Sequence, residues 1–109
     1  MLKISFLMAI MLFASLAFAQ TTFSSKNSIS TSVNAPEHVF AFDIDEDGDM
    51  DILSASYGDD KIVLYEQYGN QYFTTQIITS DADGARAVYV ADIDGDNDYD
   101  IVSASSTTD

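Results

Sequence analysis

From His38 onward, apolar residues come in short runs separated by clusters of glycine, asparagine and aspartate. "HVFAF" (38–42) leads into an acidic loop, and "DILSASY" (51–57) leaves it. Gly58-Asp59-Asp60 precedes "KIVLYEQ" (61–67), Gly69-Asn70 precedes "QYFTTQIIT" (71–79), and Asp81 to Gly84 precedes "AVYVA" (87–91). β-Branched and aromatic runs between such clusters predict strands joined by tight turns. No stretch after residue 20 keeps an apolar stripe at helical spacing. The pattern predicts an all-β chain.

The pattern also repeats. With a shift of 49 residues, Val39 falls on Val88, Phe40 on Tyr89, Ile44 on Ile93 and Ile52 on Ile101. Ser54-Ala-Ser56 falls on Ser103-Ala-Ser105, and Ile29 on Ile78. A fixed period of this size marks solenoids, propellers or arrays. Four strands per period is the content of one β-propeller blade. The expected architecture is therefore blades of four antiparallel strands, with about 1.8 repeats of 49 residues between Gln20 and Asp109. Phe23 to Thr31 aligns with the fourth strand of the unit, Tyr72 to Ser80. A propeller closes with roughly four to eight blades, so the expectation is an incomplete propeller, the N-terminal piece of a longer protein.

Residues 1–19 read differently. Lys3 gives a positive start, "ISFLMAIMLFASLAF" an apolar core, and Ala17-Phe-Ala19 the small residues of a cleavage site before Gln20. This predicts a secretory signal peptide, with a repeat region over 20–109 and a secreted or cell-surface location. The apolar core is short for a transmembrane anchor. The chain has no cysteine, which argues against a lipid-anchored lipoprotein and leaves no disulfide framework.

Net charge is −14, and eleven of the 18 acidic residues lie in two loops, so the acidity belongs to sites and not to a solvating tail. Lys26, Lys61 and Arg86 are the only cationic Lys or Arg side chains beyond the leader, which excludes a nucleic-acid surface. Both loops fit Asp-x-Asp-x-Asp-[Gly/Asn]-x-x-Asp. Calcium takes six to eight oxygen ligands, and loops of this sort offer side chains from the first, third, fifth and ninth positions and a carbonyl from the seventh. That assigns Asp43, Asp45, Asp47 and Asp51, with the carbonyl of Asp49, to one site. Asp92, Asp94, Asp96 and Asp100, with the carbonyl of Asp98, form the other. Gly48 suits the sharp turn, and Asn97 replaces it in the second loop, which is expected to be the more strained and the weaker binder.

Three competing readings fit less well. An EF-hand requires glutamate at the twelfth loop position, where Ser54 and Ser103 stand. A metal-free turn leaves alternating carboxylates to repel one another. Magnesium demands octahedral geometry and keeps its waters.

The loops "DIDEDGDMDIL" and "DIDGDNDYDIV", each preceded by a β-run and followed by "SAS", resemble FG-GAP/VCBS-type repeats of secreted proteins, relatives of the calcium-binding blades of integrin α-subunits. "VLYEQYGNQYF" is similar to that family's third strand and turn, although Gln71 stands where glycine is frequent. The resemblance implies a seven-bladed propeller stabilised by structural calcium and serving adhesion or the binding of an extracellular protein or carbohydrate. It implies no catalytic residue. The alternatives are a scaffold for a secreted hydrolase or lyase whose catalytic residues lie elsewhere, and a free-standing β-protein that oligomerises through its open edges.

Outside the loops, His38 has no second histidine or cysteine to share a metal. Ser54 and Ser56 lack a nucleophile-elbow motif and suit tight packing. Tyr57, Tyr65, Tyr68, Tyr72 and Phe73 are expected to pack between sheets, with a sugar-binding face as the alternative. Arg86 is expected to act as a charge partner.

Overall fold

Six strands form among the described residues, and the two hairpins β1–β2 and β5–β6 repeat one another pair by pair. The computed structural model describes residues 25–69 and 71–106. The leader read over 1–19 lies outside them. β1 (Pro36–Phe42), β2 (Asp51–Ser56), β3 (Lys61–Gln67) and β4 (Phe73–Thr79) form one antiparallel sheet in sequence order. β5 (Ala85–Ala91) and β6 (Asp100–Ser105) form a second. There is no helix among the described residues. The fold is all-β, with sheets of four and two strands as in propeller blades.

The 49-residue shift maps one hairpin ladder onto the other without exception. Val39 opposite Ser54 becomes Val88 opposite Ser103, and Phe42 opposite Asp51 becomes Ala91 opposite Asp100. Even the irregularity recurs, between Pro36 and His38 in β1 and between Ala85 and Ala87 in β5. The residues skipped there, Glu37 and Arg86, face each other across the units at 3.7 Å. Both are substantially exposed, so the pair contributes little by itself. A turn contact repeats as well: the Tyr57 N–H donates to the Ala35 carbonyl as the Ser106 N–H does to that of Gly84.

Period-two alternation sorts side chains onto two faces, and in β2 and β3 both are buried, with Ser54, Ser56, Val63 and Tyr65 on one of them. Leu53 and Ala55 of β2 and Ile62 and Leu64 of β3 share the other, and Val88 of β5 packs against them with Ala82 and Ala85. Phe40, Ile44, Val90 and Ile101 close the rim. The core thus lies between the two units. His38 joins them too, its Nδ1 accepting the N–H of Val88 at 3.4 Å with Tyr89 beside its ring. Arg86 lies over the Tyr57 ring and donates to Ser106 Oγ, so its partners are Glu37, Tyr57 and Ser106.

One expected strand does not form. Within the segment read as a fourth-strand equivalent, residues 25–31 carry no strand. Serine side chains there bond locally: Ser28 Oγ donates to the Ser30 carbonyl, and the Ser32 N–H donates to Ser30 Oγ. Such bonds compete with a strand ladder. Ser54 and Ser56 are buried without a hydrogen-bond partner, so they act as small packing residues, as their pattern suggested. Tyr65 is buried as expected, whereas Tyr68 and Tyr72 sit exposed at the β3–β4 turn, where no sheet covers them.

Equivalent positions differ in burial, and so should the cost of truncating them. Leu53 is 2% exposed, and its equivalent Val102 is 40% exposed. Leu53→Ala should cost about 2–5 kcal/mol, and Val102→Ala less than about 1 kcal/mol. Denaturant unfolding of the two variants checks the contrast, and equal losses would contradict the placement of the core.

Candidate metal centre

The hairpin register builds each acidic loop. Pairing Phe42 with Asp51 sets the ninth loop residue across from the first, Asp43, and pairing Ala91 with Asp100 does the same for Asp92. The intervening backbone then turns inward and its N–H groups meet the side chains. Asp43 accepts from the N–H groups of Asp47 and Gly48, Asp45 from Asp47, and Asp47 from Asp49. Asp92 accepts from Gly95 and Asn97, Asp94 from Asp96, and Asp96 from Asp98. Asp51 Oδ2 accepts from Ile44 at 2.9 Å, and Asp100 Oδ2 from Ile93 at 2.9 Å.

These bonds gather three carboxylates in each loop. One oxygen each from Asp43, Asp45 and Asp51 lies within 4.8 Å of the others, and Asp92, Asp94 and Asp100 form the same group. Two ligands of one calcium at ~2.3–2.6 Å lie at most ~5.2 Å apart, so both groups fit that ion. Unit charges ~4 Å apart repel by about 1 kcal/mol in water and about 4 kcal/mol at an effective dielectric of ~20. A bound cation reverses the sign of that term.

The other sequence-assigned residues stand outside the groups. Asp47 and Asp96 each commit one oxygen to capping the loop backbone. The Asp49 side chain turns away and accepts the Gly69 N–H at 3.0 Å, which is compatible with only its carbonyl facing the loop. Asp98 makes no side-chain hydrogen bond of this kind among the described residues. Neither loop has a flanking helix, and Ser54, at the glutamate position of an EF-hand, is buried in β2.

Two features escaped the sequence reading. Asp51 is 2% exposed and its second oxygen accepts the Gln67 N–H at 2.9 Å, so one carboxylate joins the acidic loop to the end of β3. Each loop also has two positive-φ residues, where one was expected: Glu46 (60°) and Gly48 (95°), then Gly95 (80°) and Asn97 (73°). The strain expected of the second loop alone is shared, and Glu46 tolerates this conformation less well than Asn97. The alignment of Glu46 with Gly95 was the available signal.

The model of the FG-GAP-like repeat family matches residues 43–103, from the first carboxylate of one loop past the last of the other. The chain belongs to the FG-GAP-like repeat family. No curated protein and no solved structure matches it. The match takes in both acidic loops and every strand from β2 to β5, so the repeat in the ladders and the family signature coincide.

The backbone geometry of this FG-GAP-like unit gives a direct test. Glu46→Gly should stabilise the chain by about 0.5–1 kcal/mol by relieving a left-handed glutamate. Gly48→Ala should destabilise it by about 1 kcal/mol, although the space around Gly48 is open. Thermal unfolding of both variants checks this, and effects of the same sign would contradict the assigned loop conformation.

Proposed function

We propose that this FG-GAP-like chain is a calcium-stabilised β-propeller module of the kind found in VCBS repeats and integrin α-subunits, secreted or cell-surface, which serves adhesion or ligand binding. The observation that carries the proposal is the recurrence of one three-carboxylate group, with corresponding backbone bonds, in both loops. The donor set is all oxygen, which suits a hard cation and offers nothing to a soft one. Calcium accepts six to eight oxygens in flexible geometry, whereas magnesium demands octahedral geometry and dehydrates reluctantly, which favours calcium.

Calcium at these positions is structural. It draws Asp43 and Asp45 toward Asp51, and Asp51 already holds the loop at Ile44 and β3 at Gln67. The hairpin and the next strand are then fixed by one residue. FG-GAP repeats typically belong to extracellular or cell-surface proteins, where calcium is abundant and weak sites fill.

The recognition role rests on the family and on one surface feature. Tyr68 and Tyr72 are 55% and 65% exposed and stack with centroids 6.1 Å apart. A pair of open rings at a turn suits the face of a sugar or an apolar side chain of an extracellular protein. The repeat is a non-catalytic module, and the enzyme-scaffold alternative places its catalytic residues outside this chain.

Calorimetric titration with calcium should show two sites with Kd on the order of 10⁻⁴–10⁻³ M. The double variant Asp43→Asn with Asp45→Asn should lose one, and Asp92→Asn with Asp94→Asn the other. Two sites persisting in either variant would overturn the ligand assignment.

A further inference from the structure

The first acidic loop holds a segment of chain that is not its own. Asp51 Oδ1 accepts the Gln67 N–H at 2.9 Å, and Asp49 Oδ2 accepts the Gly69 N–H at 3.0 Å. The two bonds flank Tyr68, whose own N–H donates to the Tyr72 carbonyl at 2.9 Å. The exposed rings of Tyr68 and Tyr72 stack there, just beyond the end of β3. The backbone beneath them is strained, with φ 50° at Gly69 and 70° at Gln71. A left-handed glutamine persists where its surroundings over-determine the backbone. Asp49 and Asp51, some twenty residues upstream, supply part of that determination.

We propose that a cation in the first loop sets the Tyr68–Tyr72 pair, with Asp49 as the positioning residue between them, so that recognition through these rings depends on calcium. The inference rests on the calcium reading of the loop and adds to it a surface that the ion controls. Asp49 has a bond for each side of the coupling. Its N–H donates to Asp47 Oδ1 at 2.8 Å, its side chain holds Gly69, and its carbonyl is the one assigned to the ion. Without a cation, the gathered carboxylates of Asp43, Asp45 and Asp51 repel one another. Spreading them displaces Asp49 and Asp51, the two residues that hold the aromatic turn. With a cation the loop closes and both bonds to the turn are kept. A ring pair fixed in advance loses less freedom when a ligand docks on it, which raises affinity.

NMR spectra of the purified protein titrated with calcium test this, read at the Gly69 amide and the Tyr68 and Tyr72 ring protons, with calorimetry on the same samples. In the wild-type chain, calcium should shift these signals and slow solvent exchange of the Gly69 amide severalfold. Asp43→Asn with Asp45→Asn should abolish the response, and Asp92→Asn with Asp94→Asn should leave it in place. In Asp49→Ala at saturating calcium, Gly69 should exchange as fast as it does without the ion. Asp49→Asn, which keeps an acceptor oxygen, should restore the slow exchange. Calcium bound by the wild-type chain with Gly69 and both rings unmoved would overturn the inference and leave the calcium reading standing. So would an Asp49→Ala protein whose Gly69 and rings respond as in wild type. No calcium bound at all would overturn that reading, and the inference with it.

Discussion

Alternating carboxylates in a nine-residue hairpin loop repel one another, and the unit is arranged around containing that repulsion. The loop backbone turns its N–H groups onto its own side chains, so that Asp43 and Asp92 each accept two of them. That arrangement requires left-handed residues twice per loop, which glycine supplies once and glutamate or asparagine once. The same bonds leave three carboxylates pointing at one another, a geometry that a divalent cation stabilises and water does not. Asp51 carries the consequence outward, since it belongs both to the loop and to the ladder that holds β3.

Much of this was legible in the sequence because the repeat appears in side-chain type as well as in backbone. Every strand named from the apolar runs is present, with ends shifted by one or two residues, and the 49-residue period predicts the observed register. The grouping of Asp43, Asp45 and Asp51 follows from their spacing once a hairpin is assumed. The segment after residue 25 was misread because alignment alone gave it strand character. Its serines satisfy themselves locally, which no periodicity reveals. The long-range bonds of Asp49 and Asp51 to the β3–β4 region were illegible, because they depend on how the third strand returns beside the loop.

Burial separates what the chain completes from what it leaves open. β2 and β3 are covered, and Leu53, Ala55, Ile62 and Leu64 of these strands belong to the core between units. β6, with the same pattern, keeps Val102 and Ala104 exposed. In repeats that bury their apolar faces only against neighbours, the burial of a position depends on whether a neighbour covers it. The exposed faces are thus a consequence of the repeat and not an irregularity of one strand. Acidic-loop hairpins and stacking faces divide the work: the first shape a unit, the second join it to its neighbour.

The calcium proposal stands or falls on whether a cation sits among the gathered carboxylates of each loop. A crystal structure grown in calcium tests it most directly. One ion per loop is expected, with oxygens of Asp43, Asp45 and Asp51, and of Asp92, Asp94 and Asp100, at ~2.3–2.6 Å. Well-ordered loops closed only by their own backbone bonds, with water at both positions in calcium-saturated crystals, would contradict it.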